Sequence, residues 1–192
     1  GVTTAIANNV AIPNGVTMVS PSATSPALTD IDDNGYFFRT APSDARGGEI
    51  LAQVVIERGV SKVALTYTNN DYGKGLADSF SSAFTALGGT VTMDAAHEDG
   101  KGDYSAEVAA LSASGANELV VIGYLDQGGR GIIQSSIDSG AFSTFVLSDG
   151  MIGQSLIDNV DGDLSGSFGT IAGSDSEGAA IFKTVASSNG IP

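Results

Sequence analysis

The stretch KVALTYTNNDYGKGLADSFSSAFTAL, residues 62–87, decides the fold of this 192-residue chain. Lys62–Thr68 is a short run of apolar, β-branched and aromatic residues, which is typical of a buried strand. After a polar turn, apolar side chains recur with the spacing of one helix face, at Leu76, Phe80, Phe84 and Leu87. The stretch therefore predicts a strand followed by an amphipathic helix that packs back on it.

The same alternation continues outward along the chain. Further apolar runs at Thr90–Ala96, Glu118–Tyr124 and Thr144–Ser148 predict three more strands, with helical stripes between them. A helix is predicted at Asp44–Arg58, before the first strand. Parallel strands need a crossover of a dozen or more residues, usually a helix, so this spacing predicts an α/β fold with a mostly parallel sheet and helices on both faces.

One set of strand residues should form the centre of this sheet. Over residues 62–148 we expect the strands to be mostly parallel. The residues that we expect to be buried in this sheet are Val63, Leu65, Val120, Val121, Ile122, Val146 and Leu147.

The two ends of the chain fit this pattern less well. A helix is predicted at Thr3–Ile12, strands at Val16–Val19 and Tyr36–Arg39, and a short helix near Glu177–Ser187. These pieces are typical of a second α/β layer whose remaining strands are absent, as in a truncated sequence. We expect Val16–Val19 or residues 36–38 to be covered by further sequence or by self-association, because large apolar patches usually find a partner.

The charge balance excludes several partners. Eight Lys and Arg against 22 Asp and Glu give a net charge of −14 and a pI near 4.1. Nucleic acids and anionic membranes are therefore not expected as partners, since both need clustered basic residues. The chain has no cysteine and one histidine, so no thiolate nucleophile, Cys-based zinc site or His-rich metal site is available. The chain opens at Gly1, and we expect a signal peptide to precede it in the natural protein.

Polar, glycine-containing loops follow three of the predicted strands, at Asn69–Gly73, Gly123–Asp126 and Ser148–Gly150. Ligands of parallel α/β sheets collect at this edge. Each loop holds one acidic residue, which indicates a cationic ligand group, and two hold a tyrosine, which indicates an apolar or stackable group. The alternative is that Asp71, Asp126 and Asp149 are ordinary turn or cap residues.

Other motifs are incomplete. Asp30–Gly35 and Asp161–Gly166 resemble the first half of a calcium loop, but their twelfth positions hold alanine, so we interpret both as turns. The P-loop and dinucleotide patterns fail at Gly73–Gly75. His97 is predicted to be a surface histidine, with a general-base role as the alternative. No cofactor or metal is expected.

The order of several motifs resembles one family. Five short motifs lie along the chain: SPSATSP at Ser20–Pro26, YFFRT at Tyr36–Thr40, NDYG at Asn70–Gly73, VVIGY at Val120–Tyr124 and SDG at Ser148–Gly150. Their order resembles that found in periplasmic solute-binding proteins of ABC transporters, of the branched-chain amino acid (Leu/Ile/Val-binding) type. The resemblance covers essentially the whole chain and rests on order and spacing rather than on one specific motif.

The resemblance implies two α/β lobes of the type I periplasmic-binding-protein fold, joined by hinge strands around a ligand. Residues 1–41 would belong to the first lobe, 42–172 would form the complete second lobe, and 173–192 would return to the first.

The resemblance also implies site residues. The ligand carboxylate would be held by Ser22, Ala23 and Thr24, through backbone N–H groups and a hydroxyl. Tyr72 and Tyr124 would line the cleft, and Asp149 would pair with the ligand ammonium where amino-acid binders often have Glu. The first-lobe serine loop falls at about Gly1–Thr4, where Gly1 has no hydroxyl to offer.

The implied function is periplasmic capture of a small amino acid and its delivery to the ABC transporter membrane permease. The alternatives are a binding protein or sensor for amides, urea or small aromatic acids, and an α/β enzyme that uses His97 or paired carboxylates.

Overall fold

A parallel five-stranded sheet forms the centre of the structure, a computed structural model that describes residues 1–173 and 176–191. The strands are β1 (Met18–Ser20), β2 (Phe37–Arg39), β3 (Lys62–Thr68), β4 (Thr90–His97), β5 (Glu118–Ile122), β6 (Thr144–Leu147) and β7 (Phe168–Gly169). The central sheet has the order β4-β3-β5-β6-β7, and all its neighbouring strands are parallel. The predicted mostly parallel α/β sheet is confirmed.

Helices cover both faces of the sheet. They are α1 (Val2–Ile6), α2 (Asp44–Glu57), α3 (Asp71–Ala86), α4 (Ser105–Ala113), α5 (Arg130–Ser139), α6 (Gln154–Asn159) and α7 (Glu177–Ser188). Alternate residues of β5 point to opposite faces: Val120 packs in the cluster with α2 and α3, and Val121 in the cluster with α4 and α5. All seven predicted core residues are buried, and the most exposed of them, Leu147, is 6% exposed.

The N-terminal segment is less regular than its sequence predicts. Instead of one helix over Thr3–Ile12, α1 ends at Ile6 and is followed by a π-helical turn, Ala7–Ala11, and a 3-10 turn, Ile12–Asn14. Pro13 lacks an N–H and Gly15 adopts a left-handed conformation, so the helix cannot continue regularly beyond this point.

Strands β1 and β2 form a separate parallel pair, with Val19 opposite Phe38. These two side chains are 61% and 52% exposed. Among the described residues, α7 also exposes Ile181, Phe182 and Val185. We still predict that these apolar groups are covered, either by further sequence or by a second copy of the chain.

The two calcium-like sequences fold as turns. Asp33 accepts hydrogen bonds from the N–H groups of Gly35 and Phe37, and Asp163 accepts one from Ser165. Within residues 1–173 and 176–191, no three His, Cys, Asp or Glu side chains group together as a metal site.

Gly73 is required where α3 passes close to the end of β3. A Cβ added there would lie 2.1 Å from the Thr68 carbonyl oxygen. We expect Gly73→Ala to lower the free energy of unfolding by about 1–3 kcal/mol, the usual cost of overpacking. Denaturant unfolding measures this. Gly102→Ala is the control, because a Cβ there has no described neighbour within 4 Å; equal effects of the two changes would contradict the prediction.

Candidate solute-binding cleft

Three loops at the carboxyl edge of the sheet bring Tyr72, Tyr124 and Asp149 together. The rings of Tyr72 and Tyr124 stack with their centroids 5.1 Å apart. The Tyr72 hydroxyl donates a hydrogen bond to Asp149 Oδ1 at 2.8 Å. The sequence therefore identified three side chains that come from different βα loops and form one contiguous group.

Local structure fixes Tyr72 in this group. Asn70 caps α3, because its Oδ1 accepts hydrogen bonds from the N–H groups of Tyr72 and Gly73. This cap lies directly before the first helical residue, Asp71, and places Tyr72 in the first turn of α3. Burial, followed by the nearby Asp149 carboxylate, raises the pKa of the Tyr72 hydroxyl well above its usual range, so this group remains a hydrogen-bond donor at neutral pH.

The Asp149 carboxylate is held in a fixed position. Its Oδ1 also accepts the Gly150 N–H at 2.9 Å. Tyr72 has one hydroxyl proton, and since Asp149 accepts it, the 3.1 Å contact between the Tyr72 and Ser148 hydroxyls has Ser148 as donor. Asp149 does not cap α6, whose N-cap is Gly153 without a side-chain hydrogen bond. The cap alternative is therefore excluded for Asp149, which is instead the first residue of a 3-10 turn, Asp149–Met151.

A cavity of about 330 Å³ lies beside the stacked tyrosines. Ser22, Ala23, Thr24 and residues 1–4 also line this cavity. No Lys or Arg side chain lines this cavity within the part of the chain that the structure describes. The cavity is of small-molecule size, and hydroxyl-bearing residues line it together with the two tyrosines.

Ser20 shapes the loop that carries these residues, although the resemblance assigned it no role. Its buried hydroxyl oxygen accepts the Ala23 N–H at 3.0 Å. The Ala23 N–H is therefore already engaged within the loop. The Thr24 N–H makes no hydrogen bond to any described residue, so Thr24 is the better-placed donor toward the cavity.

A second acidic side chain, Asp44, was also missed. It is the first residue of α2, and its N–H donates to the Thr24 carbonyl oxygen at 2.9 Å. Together with Thr24 and Asp149 it lines a smaller cavity of about 140 Å³ with apolar walls that include Ile50 and Leu76. Asp44 is 6% exposed, and its Oδ2 has no hydrogen-bond partner among residues 1–173 and 176–191.

The pKa of Asp44 reflects this environment. Burial raises the pKa to about 6, the nearby Asp149 adds to the rise, and the Thr24 hydroxyl and the Arg39 charge partly offset it. In sequence, Asp44 follows the helix-capping Ser43 and has the appearance of an ordinary first-turn acid. Nothing in the neighbouring sequence distinguishes Asp44 from an exposed acidic residue.

The remaining candidates lie outside the cleft. Asp71 points toward Gly1, and Asp126 is exposed. The prediction of a surface His97 is wrong: the ring is 1% exposed, and its Nδ1 lies 2.9 Å from Thr66 Oγ1. Packing of the β5–α5 loop over the end of β4 buries it, and this burial lowers its pKa.

Comparisons with known proteins show the family of the chain. The sequence profile of the periplasmic binding protein family matches residues 1–180. The chain is 37% identical over 132 residues to Leu/Ile/Val-binding protein homolog 3 of Brucella melitensis, covering 67% of this chain and 36% of that protein. It is 32% identical over 154 residues to a Leu/Ile/Val-binding protein of Rhizobium johnstonii, covering 76% and 41%.

A solved structure shares the fold. It is an ABC transporter substrate-binding protein from Desulfitobacterium hafniense in complex with Leu, with a TM-score of 0.60 and 25% identity over 73% of this chain and 42% of that one. The chain belongs to the periplasmic binding protein family and spans about two fifths of the length of these relatives. No helix in its described part is both long and apolar enough to cross a membrane.

Proposed function

We propose that the complete protein is the extracytoplasmic binding component of an ABC importer and captures a small amino acid for a membrane permease. The observation that carries this proposal is the Asp149 carboxylate, which accepts hydrogen bonds from Tyr72 and Gly150 and lines one cavity with Thr24, while Thr24 also lines the adjoining larger cavity with Ser22 and Tyr124. A zwitterion needs an acceptor for its ammonium group and donors for its carboxylate at opposite ends of such a cleft.

In this proposal the ammonium group binds Asp149 and the Tyr124 hydroxyl, while Asp44 adds a second negative charge from the adjoining cavity. The ligand carboxylate binds the N–H of Thr24 and the hydroxyls of Thr24 and Ser22. Charge-assisted hydrogen bonds in a desolvated cleft are about twice as strong as neutral ones. Asp149 is shorter than the Glu common in amino-acid binders, and this leaves room for a ligand other than Leu, Ile or Val.

The domain arrangement is part of the same proposal. Residues 42–172 contain α2 through β7 and form one lobe, while residues 1–41 and 173–192 belong to the other. Closure of the two lobes around the ligand would complete the site, with hinge residues absorbing the change. The family match and the names of the relatives support a periplasmic location and a permease partner.

A thermal-shift screen of the complete protein tests the proposal. Leucine, isoleucine and valine at 100 times their Kd should each stabilise the fold by about 2.7 kcal/mol. Stabilisation by amides, urea or small aromatic acids instead would assign the alternative ligand class. Turnover of any of these compounds, lost in His97→Ala, would contradict the proposal and favour an enzyme.

A further inference from the structure

We propose that Asp44 exchanges a proton for the ammonium group of the ligand, so that ligand capture releases a proton and weakens in acid. This inference rests on the proposed function, since it concerns the same cleft. It adds a regulatory property that the binding geometry alone does not require.

The geometry leaves one oxygen of the Asp44 carboxylate, Oδ2, without a hydrogen-bond partner in the described part of the chain, although Thr24 and Arg39 stabilise the charge in part. Asp44 is 6% exposed, and no described residue donates a hydrogen bond to Oδ2. Asp44 and Asp149 line the same cavity. A buried carboxylate in that position needs either a proton or a cation, because burying an uncompensated charge is costly.

The cationic groups around Asp44 compensate its charge only in part, since burial remains the largest influence on its pKa. Arg39, on β2, donates hydrogen bonds to the Ser25 carbonyl oxygen and the Thr29 hydroxyl. Arg46, on α2 itself, is largely exposed and paired with Glu49. The other ionisable groups facing Asp44 are acidic or phenolic and come from the ends of β5 and β6 and the start of α3: Tyr124, Asp149 and Tyr72.

The direction of the coupling follows from this arrangement. Burial and Asp149 favour the protonated form of Asp44, with a pKa of about 6. An ammonium group placed between the two carboxylates favours the ionised form, since an opposite charge at short range lowers a carboxyl pKa. Binding near pH 6 therefore expels a proton from Asp44. Below pH 6 this proton competes with the ligand, and the apparent affinity falls as the pH falls.

The test is calorimetric titration of the complete protein with leucine between pH 5.0 and 7.5. The α-ammonium and α-carboxylate of leucine keep their charges between about pH 5 and 7. We expect the affinity to fall by up to about tenfold per pH unit below 6. At pH 6 the heat of binding should change with the ionisation enthalpy of the buffer, which reports proton release even without a variant.

Two variants sharpen the result. Asp44→Asn has no proton to exchange, so its binding should be weaker at pH 7.5 and independent of pH. His97→Gln removes a buried ionisable side chain that lies outside the cleft, and it should keep the wild-type pH dependence. If leucine bound with the same affinity at pH 5 and pH 7.5, and the heat of binding did not depend on the buffer, the proton exchange would be overturned. The proposed function would remain intact. Failure of all amino acids to bind at every pH would overturn both.

Discussion

Asp149→Asn should weaken amino-acid binding by tens- to thousands-fold while leaving the melting temperature without ligand nearly unchanged. Removing one partner of a desolvated charge pair costs about 2–5 kcal/mol, at about 1.4 kcal/mol per tenfold change in affinity. The fold should tolerate the change, because the Asn carbonyl oxygen can accept the same hydrogen bonds from Tyr72 and Gly150. Calorimetric titration of the complete protein measures the affinity.

The matched control is Asp126→Asn, which removes the same charge from an exposed position in a neighbouring loop. It should leave the affinity within about twofold of wild type, since a solvated charge contributes little. An Asp149→Asn variant with wild-type affinity would reject the assignment of Asp149 to the ligand ammonium.

Asp44→Asn should stabilise the protein in the absence of ligand while impairing its binding. The pKa of Asp44 rises from 3.8 to about 6 in the fold, and about two pKa units correspond to roughly 3 kcal/mol. The native state therefore holds the Asp44 proton more tightly than the unfolded chain. Stability is lost as the pH rises from about 4 to 6, and the full cost is present above pH 6. The variant should recover up to that amount at pH 7 and lose this part of the pH dependence.

Denaturant unfolding at pH 4 and pH 7 measures the effect. Asp32→Asn provides the control, because Asp32 is exposed and should change stability by less than about 0.5 kcal/mol at either pH. If Asp44→Asn were destabilising by a similar amount at both pH values, Asp44 would be a structural hydrogen-bonding residue rather than a carboxylate kept for a ligand.

The sheet could be predicted well because its signal is local. The predicted first strand, Lys62–Thr68, matches β3 at both ends, since an apolar run bounded by polar turns has little freedom to shift. The convergence of Tyr72, Tyr124 and Asp149 also follows from sequence order, because the carboxyl ends of parallel strands lie at one edge. Their direct contacts depend on side-chain geometry, which the pattern does not contain.

Asp44 and His97 show where sequence reasoning fails. Each is a lone polar residue at the end of a regular element, where solvent exposure is the common outcome. Their burial is decided by distant segments: the end of β6 and the Thr24 loop for Asp44, and the β5–α5 loop for His97. No periodicity within a short window records such long-range packing.

The Tyr72–Tyr124 stack and the Tyr72–Asp149 hydrogen bond join the loops after β3, β5 and β6 into one unit. These loops therefore have little independent freedom to lose when a ligand arrives, and the site is preorganised. Most of the entropy cost of binding then falls on the ligand and on lobe closure. In a series of ligands, association rates should vary little and residence times should carry the differences in affinity.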